Sequence, residues 1–214
     1  MTRAPASLRT GTLAIGALAA LLYVWLGAAV SHTAPFGVDL AGRALAGQAP
    51  GLALIFTESC WWVALVSLGV VAIALALRFR PWRPRTIYAV ATTVVTWQVS
   101  DALKNVFRRP RPDYWKLIHE SSFSYSSGHA MFALVVYWTW AWFIWNSDLP
   151  RAVRLFVAPL LFLWGCGVIW SRLALGAHYV TDLIGGLLLG TAALAIASVI
   201  GSAIRAAGRA RSAP

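Results

Sequence analysis

Six apolar stretches, each close to membrane-crossing length, constrain this chain more than any other feature. They run roughly Leu13–Val30, Trp61–Leu77, Thr86–Leu103, Ala130–Trp145, Leu155–Trp170 and Val180–Ile200. About 20 apolar residues cross a bilayer as a helix, and the fourth and fifth stretches fall slightly short of that. Lipid offers no partner for backbone N–H and C=O groups, so each stretch must satisfy its own backbone by coiling into a helix. The fold expected is all-α: a polytopic integral membrane protein with six transmembrane helices, forming a single domain over residues 1–214. Composition agrees, with 59% hydrophobic and only 12% charged residues, against about 25% charged in soluble domains. Disorder, fibrous repeats and an ordinary soluble globule are excluded.

The charges between the stretches set the orientation. The chain carries 18 Lys+Arg against 7 Asp+Glu, a formal net charge of +11. In a soluble protein such an excess points to nucleic acid; here the cations are read as topology signals, and no nucleic-acid partner is expected. With the N-terminus cytoplasmic, one face holds eleven of them: Arg3, Arg9, Arg78, Arg80, Arg83, Arg85, Arg151, Arg154, Arg205, Arg209 and Arg211. The other face holds seven: Arg43, Lys104, Arg108, Arg109, Arg111, Lys116 and Arg172. The positive-inside rule therefore predicts cytoplasmic N- and C-termini, and the outer cations need a local reason. Leu13–Val30 follows a basic start and ends in small residues, as a signal peptide does. Its eighteen residues exceed the usual h-region of about 7–15, and it is read as a retained helix. A short amphipathic helix on the membrane surface is expected within the outer loop His32–Gly51.

Three segments hold most of the unusual polar residues, and the charge-derived topology puts all three at one membrane face. The first, Lys104-Asn-Val-Phe-Arg-Arg-Pro-Arg111-Pro112, ends the third helix. The second, Ser126-Ser127-Gly128-His129, starts the fourth. The third runs Ser171-Arg172, five residues, His178, three residues, Asp182, and joins the fifth helix to the sixth. Lys104, Arg111 and Arg172 have no matching carboxylates beside them in sequence and would repel one another without a multiply charged anion between them. A phosphate group fits, with Arg supplying forked bonds and Lys a point charge. Ser127 and Gly128 precede a helix, so their backbone N–H groups can face an anion at its positive end. His178 and Asp182 stand i, i+4 on one helix face. A carboxylate there can fix one ring nitrogen as N–H and leave the other as a nucleophile. His129 can protonate a leaving oxygen. Together these groups describe phosphoryl transfer.

Lys-x6-Arg-Pro, Ser-Gly-His and Ser-Arg-x5-His-x3-Asp, in that order over residues 104–182, resemble the three-part signature of the type 2 phosphatidic acid phosphatase superfamily. Six membrane helices resemble its integral-membrane lipid phosphatase branch, with phosphatidylglycerophosphate and undecaprenyl pyrophosphate phosphatases among its activities. By that resemblance Lys104, Arg111, Ser127, Gly128 and Arg172 bind phosphate, His129 is the general acid, His178 attacks phosphorus and Asp182 orients His178. The resemblance also implies chemistry without metal or cofactor, which agrees with the absence of metal-ligand spacing around Cys60, Cys166 and the carboxylates. The family pattern usually has Pro where this chain has Ser126, a change that loosens the turn but removes no chemical group.

The expected activity is hydrolysis of a lipid phosphate or pyrophosphate at the extracytoplasmic face, through a phosphohistidine. Phosphatidylglycerophosphate, phosphatidate and prenyl pyrophosphates are all plausible substrates, and the bacterial inner membrane is the expected location. A phosphotransferase of the same superfamily would use the same residues. An anion or phospholipid transporter would explain the outer cations but not the His178–Asp182 spacing. Arg108 and Arg109 are read as headgroup contacts, Asp101 as a partner of Lys104, Glu58 as interfacial or lining the substrate mouth, and His32 and His119 as loop residues. Nothing in the sequence bears on oligomeric state.

Overall fold

The computed structural model describes residues 6–114, 117–118 and 120–211. Arg3, Lys116 and His119 lie outside the described residues. All six apolar stretches are helical. The first is α1 (Ala6–Ser31). The outer loop folds into two short helices, α2 (Gly37–Gly42) and α3 (Pro50–Glu58), and α3 runs into α4 (Trp62–Arg78) through a 48° bend. A tight turn at Arg80–Trp82 leads to α5 (Arg83–Phe107). The fourth stretch is a composite column: α6 (Gly128–Phe132), a π-helical stretch (Ala133–Trp138) and α7 (Thr139–Trp145). Two long helices follow, α8 (Arg151–Ala174) and α9 (Val180–Arg211).

By length and composition three helices can cross a membrane: Thr10–Ser31, Arg151–Ala174 and Val180–Ile204; the bent α3–α4 pair makes a fourth. Large apolar side chains point outward, including Leu21, Val70, Ile87, Phe156 and Leu163, and only 17–39% of the three single-helix spans is buried within the protein. Such a surface needs lipid rather than water around it, and the protein is integral to the membrane. The α5 helix is less apolar for a packing reason. Thr92, Thr96 and Ser100 form its buried face, and Thr92 and Thr93 return their hydroxyls to the carbonyls of Tyr88 and Ala89 at 2.7 and 2.8 Å. Small hydroxyl residues of this kind let membrane helices approach closely while hiding their polarity.

The α6–α7 column fills the centre. Met131, Ala133 and Val135 are fully buried, packed with Tyr23 and Leu26 of α1, Val168 of α8 and Leu189 of α9. Trp138 donates its indole N–H to Phe162 O at 3.0 Å, and Tyr137 donates to Ser59 O at 2.9 Å. These bonds lock the column to α8 and to the α3–α4 bend. At the other edge Tyr88 of α5 donates to Leu194 O of α9 at 2.8 Å.

The outer loop holds the short helix expected of it, and most of α2 is exposed, but polar side chains turn inward. Asp39 on α2 is fully buried, and Thr57 on α3 is nearly so; both short helices are drawn inward by polar side chains that find partners at the motif end of the bundle.

Candidate active site

The C-terminal ends of α5 and α8, the N-terminal ends of α6 and α9, and the short helices α2 and α3 all meet at one end of the bundle. Each turn has a local cause. Arg108 caps α5 in the left-handed region (φ 51°) and sends the chain towards Arg109 and Arg111. Gly176 (φ 62°) turns the chain from α8 into the segment bearing His178, a backbone state that glycine reaches without strain. Ser127 caps α6 by accepting from Ala130 N at 3.4 Å.

His178 lies buried between two charged sets. Its Nδ1 faces Asp182 Oδ2 and Ser124 Oγ, each at 3.4 Å; its Nε2 faces Arg111 Nη1 at 3.3 Å. A guanidinium has only donors, so Nε2 carries the lone pair and Nδ1 the proton, the tautomer that attack through Nε2 requires. The contacts are long for hydrogen bonds, as catalytic contacts often are before substrate tightens them. Burial, then the fields of Arg111, Arg172 and Lys104, holds the imidazole well below its usual range, with Glu120 opposing. The ring is therefore neutral at pH 7.

The three predicted cations converge. Arg111 donates to Ser122 O (2.7 Å), Ser122 Oγ (3.0 Å) and Ala177 O (2.9 Å). Lys104 Nζ lies 3.4 Å from Ser122 Oγ and 3.9 Å from Asp101, the partner expected for it. Arg172, fully buried, bonds Thr57 Oγ1 and Glu120 Oε1, and its Nε is buried without a partner among the described residues. The cations do have a carboxylate beside them, contrary to the reading from sequence: Glu120 pairs with Arg172 and lies 3.6 Å from Arg111. Arg172 and Arg111 in turn hold the Glu120 carboxyl below the usual range against the opposing effect of burial. A cleft of about 190 Å³ opens beside Arg111, with Glu120, Ser121 and Ser122 in its wall. A larger apolar groove of about 630 Å³ runs between α4 and α5 and contains none of the site residues.

At the start of α6, Ser127 N–H is spent on Asp182 O at 3.0 Å, so that amide does not face an anion as the sequence suggested. Gly128 has open space on its Cβ side: a Cβ built there would meet nothing within 4 Å. His129 follows Gly128 on α6, close to the Thr57 backbone, on the residue whose hydroxyl holds Arg172.

Arg109 is the main departure from expectation. It is not a headgroup contact: it is 2% exposed, and ion-pairs with Asp182 Oδ1 at 2.6 Å and Asp39 Oδ2 at 2.9 Å. Asp182 also accepts from Ser124 Oγ and from Tyr179 N at 2.9 Å. Among the described residues no three His, Cys, Asp or Glu side chains gather as a metal-ligand set.

The PAP2 superfamily pattern matches residues 60–205, spanning every one of these site segments except α2 and α3. The chain belongs to the PAP2 superfamily. Phosphatidylglycerophosphatase B of Bacillus subtilis (strain 168) is 39% identical over 97 residues, 43% of this chain and 46% of that protein. Phosphatidylglycerophosphatase B of Escherichia coli (strain K12) is 39% identical over 79 residues, 37% of this chain and 29% of that protein. The alignments thus span less than half the length of these curated relatives. A crystal structure described as a transmembrane PAP2-type phosphatidylglycerolphosphate phosphatase from Bacillus subtilis superposes with a TM-score of 0.70 and 27% identity, covering 86% of this chain and 94% of that one.

Ser126 is where this chain departs from the pattern that the resemblance implied. It is fully buried with its hydroxyl 3.5 Å from that of Tyr23, and the neighbouring Tyr125 donates to Tyr23 O at 2.6 Å. These contacts tie the turn to α1. Asp39, Thr57, Arg109, Glu120 and Ser124 complete the site yet stand outside the three motifs or in their variable positions. The signal that could have found two of them is scarcity: in a chain with seven carboxylates and eighteen cations, each loop carboxylate is worth matching to a cation.

Proposed function

We propose that this chain is a membrane lipid phosphatase that hydrolyses a phosphate monoester on a lipid headgroup, through a phosphohistidine on His178 and without a metal ion. The carrying observation is the orientation of His178, with Nε2 towards Arg111 and Nδ1 towards Asp182. Lys104, Arg111, Arg172 and the Gly128 amide hold the phosphoryl oxygens. The Nε2 lone pair forms the N–P bond as the P–O bond to the lipid breaks. His129 gives its proton to the leaving oxygen, and the phosphoryl group supplies the negative charge that pairs with the protonated ring beforehand. Water then attacks phosphorus, its proton passes to His129, the N–P bond breaks and phosphate leaves with His178 neutral again. Catalysis of this kind is mostly positioning and charge stabilisation, which Lys and Arg supply here. The names of the relatives favour phosphatidylglycerophosphate as the lipid.

The helices form six membrane spans with both termini cytoplasmic, and the site faces the extracytoplasmic side of a bacterial inner membrane. The opposite end of the bundle carries Arg78, Arg80, Arg83, Arg85, Arg151 and Arg154, as a cytoplasmic face does.

The test is phosphate release from phosphatidylglycerophosphate, phosphatidate and a prenyl pyrophosphate in detergent, with chelator present, for wild type and His178→Ala. The expected result is chelator-resistant turnover, inhibited by vanadate, that falls at least about 10³-fold in the variant, on the order of 4 kcal/mol of barrier. Near-normal turnover by His178→Ala, or labelled phosphate still attached to it after rapid quench at alkaline pH, would overturn the mechanism.

A further inference from the structure

Arg109 is poised between two carboxylates in a position where either could claim it. Its Nη1 donates to Asp182 Oδ1 at 2.6 Å and to Thr181 Oγ1 at 2.7 Å; its Nη2 donates to Asp39 Oδ2 at 2.9 Å. The guanidinium lies over the Tyr179 ring, 4.2 Å from its centroid. Asp39 also accepts from Thr181 N at 2.9 Å and from Thr181 Oγ1 at 2.8 Å, capping the first turn of α9. Asp39, Arg109 and Asp182 are each buried to 2% exposure or less.

The formal charges are −1 on Asp39, +1 on Arg109 and −1 on Asp182, which sum to −1. Without Asp39 the sum is zero, because Arg109 neutralises Asp182 alone. The difference matters at one moment. When the Nε2 lone pair of a ring already carrying Nδ1–H bonds to phosphorus, the ring becomes cationic, and the nearest negative charge to it is this cluster. In a buried site such a charge is felt strongly.

We infer that Asp39 and Arg109 are positioning residues for the phosphoryl transfer, acting through Asp182. Arg109 fixes the Asp182 carboxylate, and Asp39 offsets Arg109 so that one net negative charge remains to stabilise the phosphorylated His178 ring. The inference rests on the phosphohistidine reading above. It extends the machinery to a residue of the loop between the first two membrane-length helices, 143 positions before Asp182 in the chain. Ser124 and Tyr179 N supply the remaining hydrogen bonds to Asp182 but no charge.

The charge argument and a purely structural one diverge in a double-mutant cycle. Asp39→Asn keeps the size and one acceptor oxygen for Thr181 N, but turns an amide NH2 to Arg109, so it removes the charge together with the bond from Arg109. It should lower kcat about 10- to 100-fold, on the order of 1.4–2.7 kcal/mol, with KM and the inhibition constant for inorganic phosphate, a ground-state ligand, changed less than about threefold. Asp39→Glu should recover most of the loss. Adding Arg109→Gln to Asp39→Asn returns the cluster to −1, and should raise kcat at least about fivefold above the single variant. If Asp39 and Arg109 serve only as a structural clamp, the double variant loses a second anchor and is slower still. Thr181→Val removes the bridging hydroxyl but no charge, and should keep kcat within about threefold of wild type. The inference is overturned by a normal kcat in Asp39→Asn, by equal losses in kcat and inorganic phosphate affinity, by a double variant slower than the single, or by a tenfold or greater loss (about 1.4 kcal/mol) in Thr181→Val. The Thr181→Val arm decides the matter if Asp39→Asn does not fold. His178→Ala, run alongside, separates the two levels: turnover in that variant sinks the nucleophile assignment, whereas an inactive His178→Ala beside a fully active Asp39→Asn sinks only the role of Asp39.

Discussion

Two glycines on either side of the same turn should respond to alanine in opposite ways. Gly186 lies where α9 crosses the start of α6. A Cβ there would stand 2.3 Å from Ser127 O, and 3.1 Å from both Ala130 Cβ and Met131 N. Ordinary C···O contacts begin near 3.3 Å, so the backbone of the 127–131 segment must retreat by about 1 Å. That segment carries Gly128 and His129, and it is tied to α9 through the bond from Ser127 N to Asp182 O. Gly186→Ala should therefore strain the packing by about 1–3 kcal/mol, and a shift of about 1 Å at the reacting groups should lower kcat/KM about 10²-fold. Gly128→Ala meets open space instead. It should leave the unfolding midpoint unchanged and act on the ligand, weakening vanadate inhibition about tenfold or more, about 1.4 kcal/mol. The assays are thermal unfolding in detergent and vanadate inhibition of lipid phosphate hydrolysis. A Gly186→Ala variant with wild-type stability and rate would refute the close approach of α9 to α6. Unchanged vanadate affinity in Gly128→Ala would refute the placement of phosphate before α6.

Three further outcomes follow from the site and its surroundings. His178 is held below its usual range by burial first, then by Arg111, Arg172 and Lys104; a depressed histidine keeps its lone pair as pH falls through about 6.5, so kcat/KM should show no His178-dependent loss down to about pH 6, and a His178-dependent acid limb centred at or above about 6.5 contradicts the electrostatics. Thr57→Val keeps shape but removes the hydroxyl that holds Arg172, and should weaken vanadate inhibition about 10- to 100-fold, the worth of one hydrogen bond to a charged group; no change in a titration of inhibition against vanadate would remove Thr57 from the site. With Cys60 and Cys166 replaced, an impermeant thiol reagent added outside intact cells should label a cysteine introduced at Asp113 and miss one at Arg83, and the reverse pattern would invert the topology.

Much of this arrangement was legible in sequence because membrane helices and the three motifs are both local patterns. All six apolar stretches proved helical, with ends shifted by a few residues where Arg, Thr or Ser extend a helix beyond its apolar run, as in α5 and α8. Long-range polar pairing was not legible. Arg109 and Arg111 both precede a proline and look alike in the chain, yet Arg109 turns inward to Asp39 and Asp182 while Arg111 faces Ser122 and His178. Nothing local distinguishes them; the difference is made by a carboxylate 70 residues upstream. The same holds for Glu120 in a loop and Thr57 on α3, single polar residues whose partner, Arg172, lies over 50 positions away. The Ser127 amide was misread because helix N-termini do expose N–H groups, and only the tertiary fold brings the Asp182 carbonyl to this one.

The two charged sets acquire their meaning from the ring between them. On the Nε2 side stand Lys104, Arg111 and Arg172 with Glu120, formally +3 and −1, a sum of +2. On the Nδ1 side stand Asp39, Arg109 and Asp182, a sum of −1. A field directed this way keeps the proton on Nδ1 and the lone pair facing the cradle. It also opposes a second proton on the resting ring, so the nucleophile does not silence itself. A phosphate dianion entering the cradle takes that side from +2 to zero, and the cationic ring formed on attack then meets the remaining −1 behind it. In the proposed mechanism one polarised arrangement selects the tautomer, attracts the lipid phosphate and stabilises the phosphohistidine. Three carboxylates and four cations thus share one end of a bundle whose surface is otherwise apolar. Burying charge at this density is costly for each ion taken singly, and is tolerated here because every member has an opposite charge or a hydrogen-bond partner from another segment of the chain.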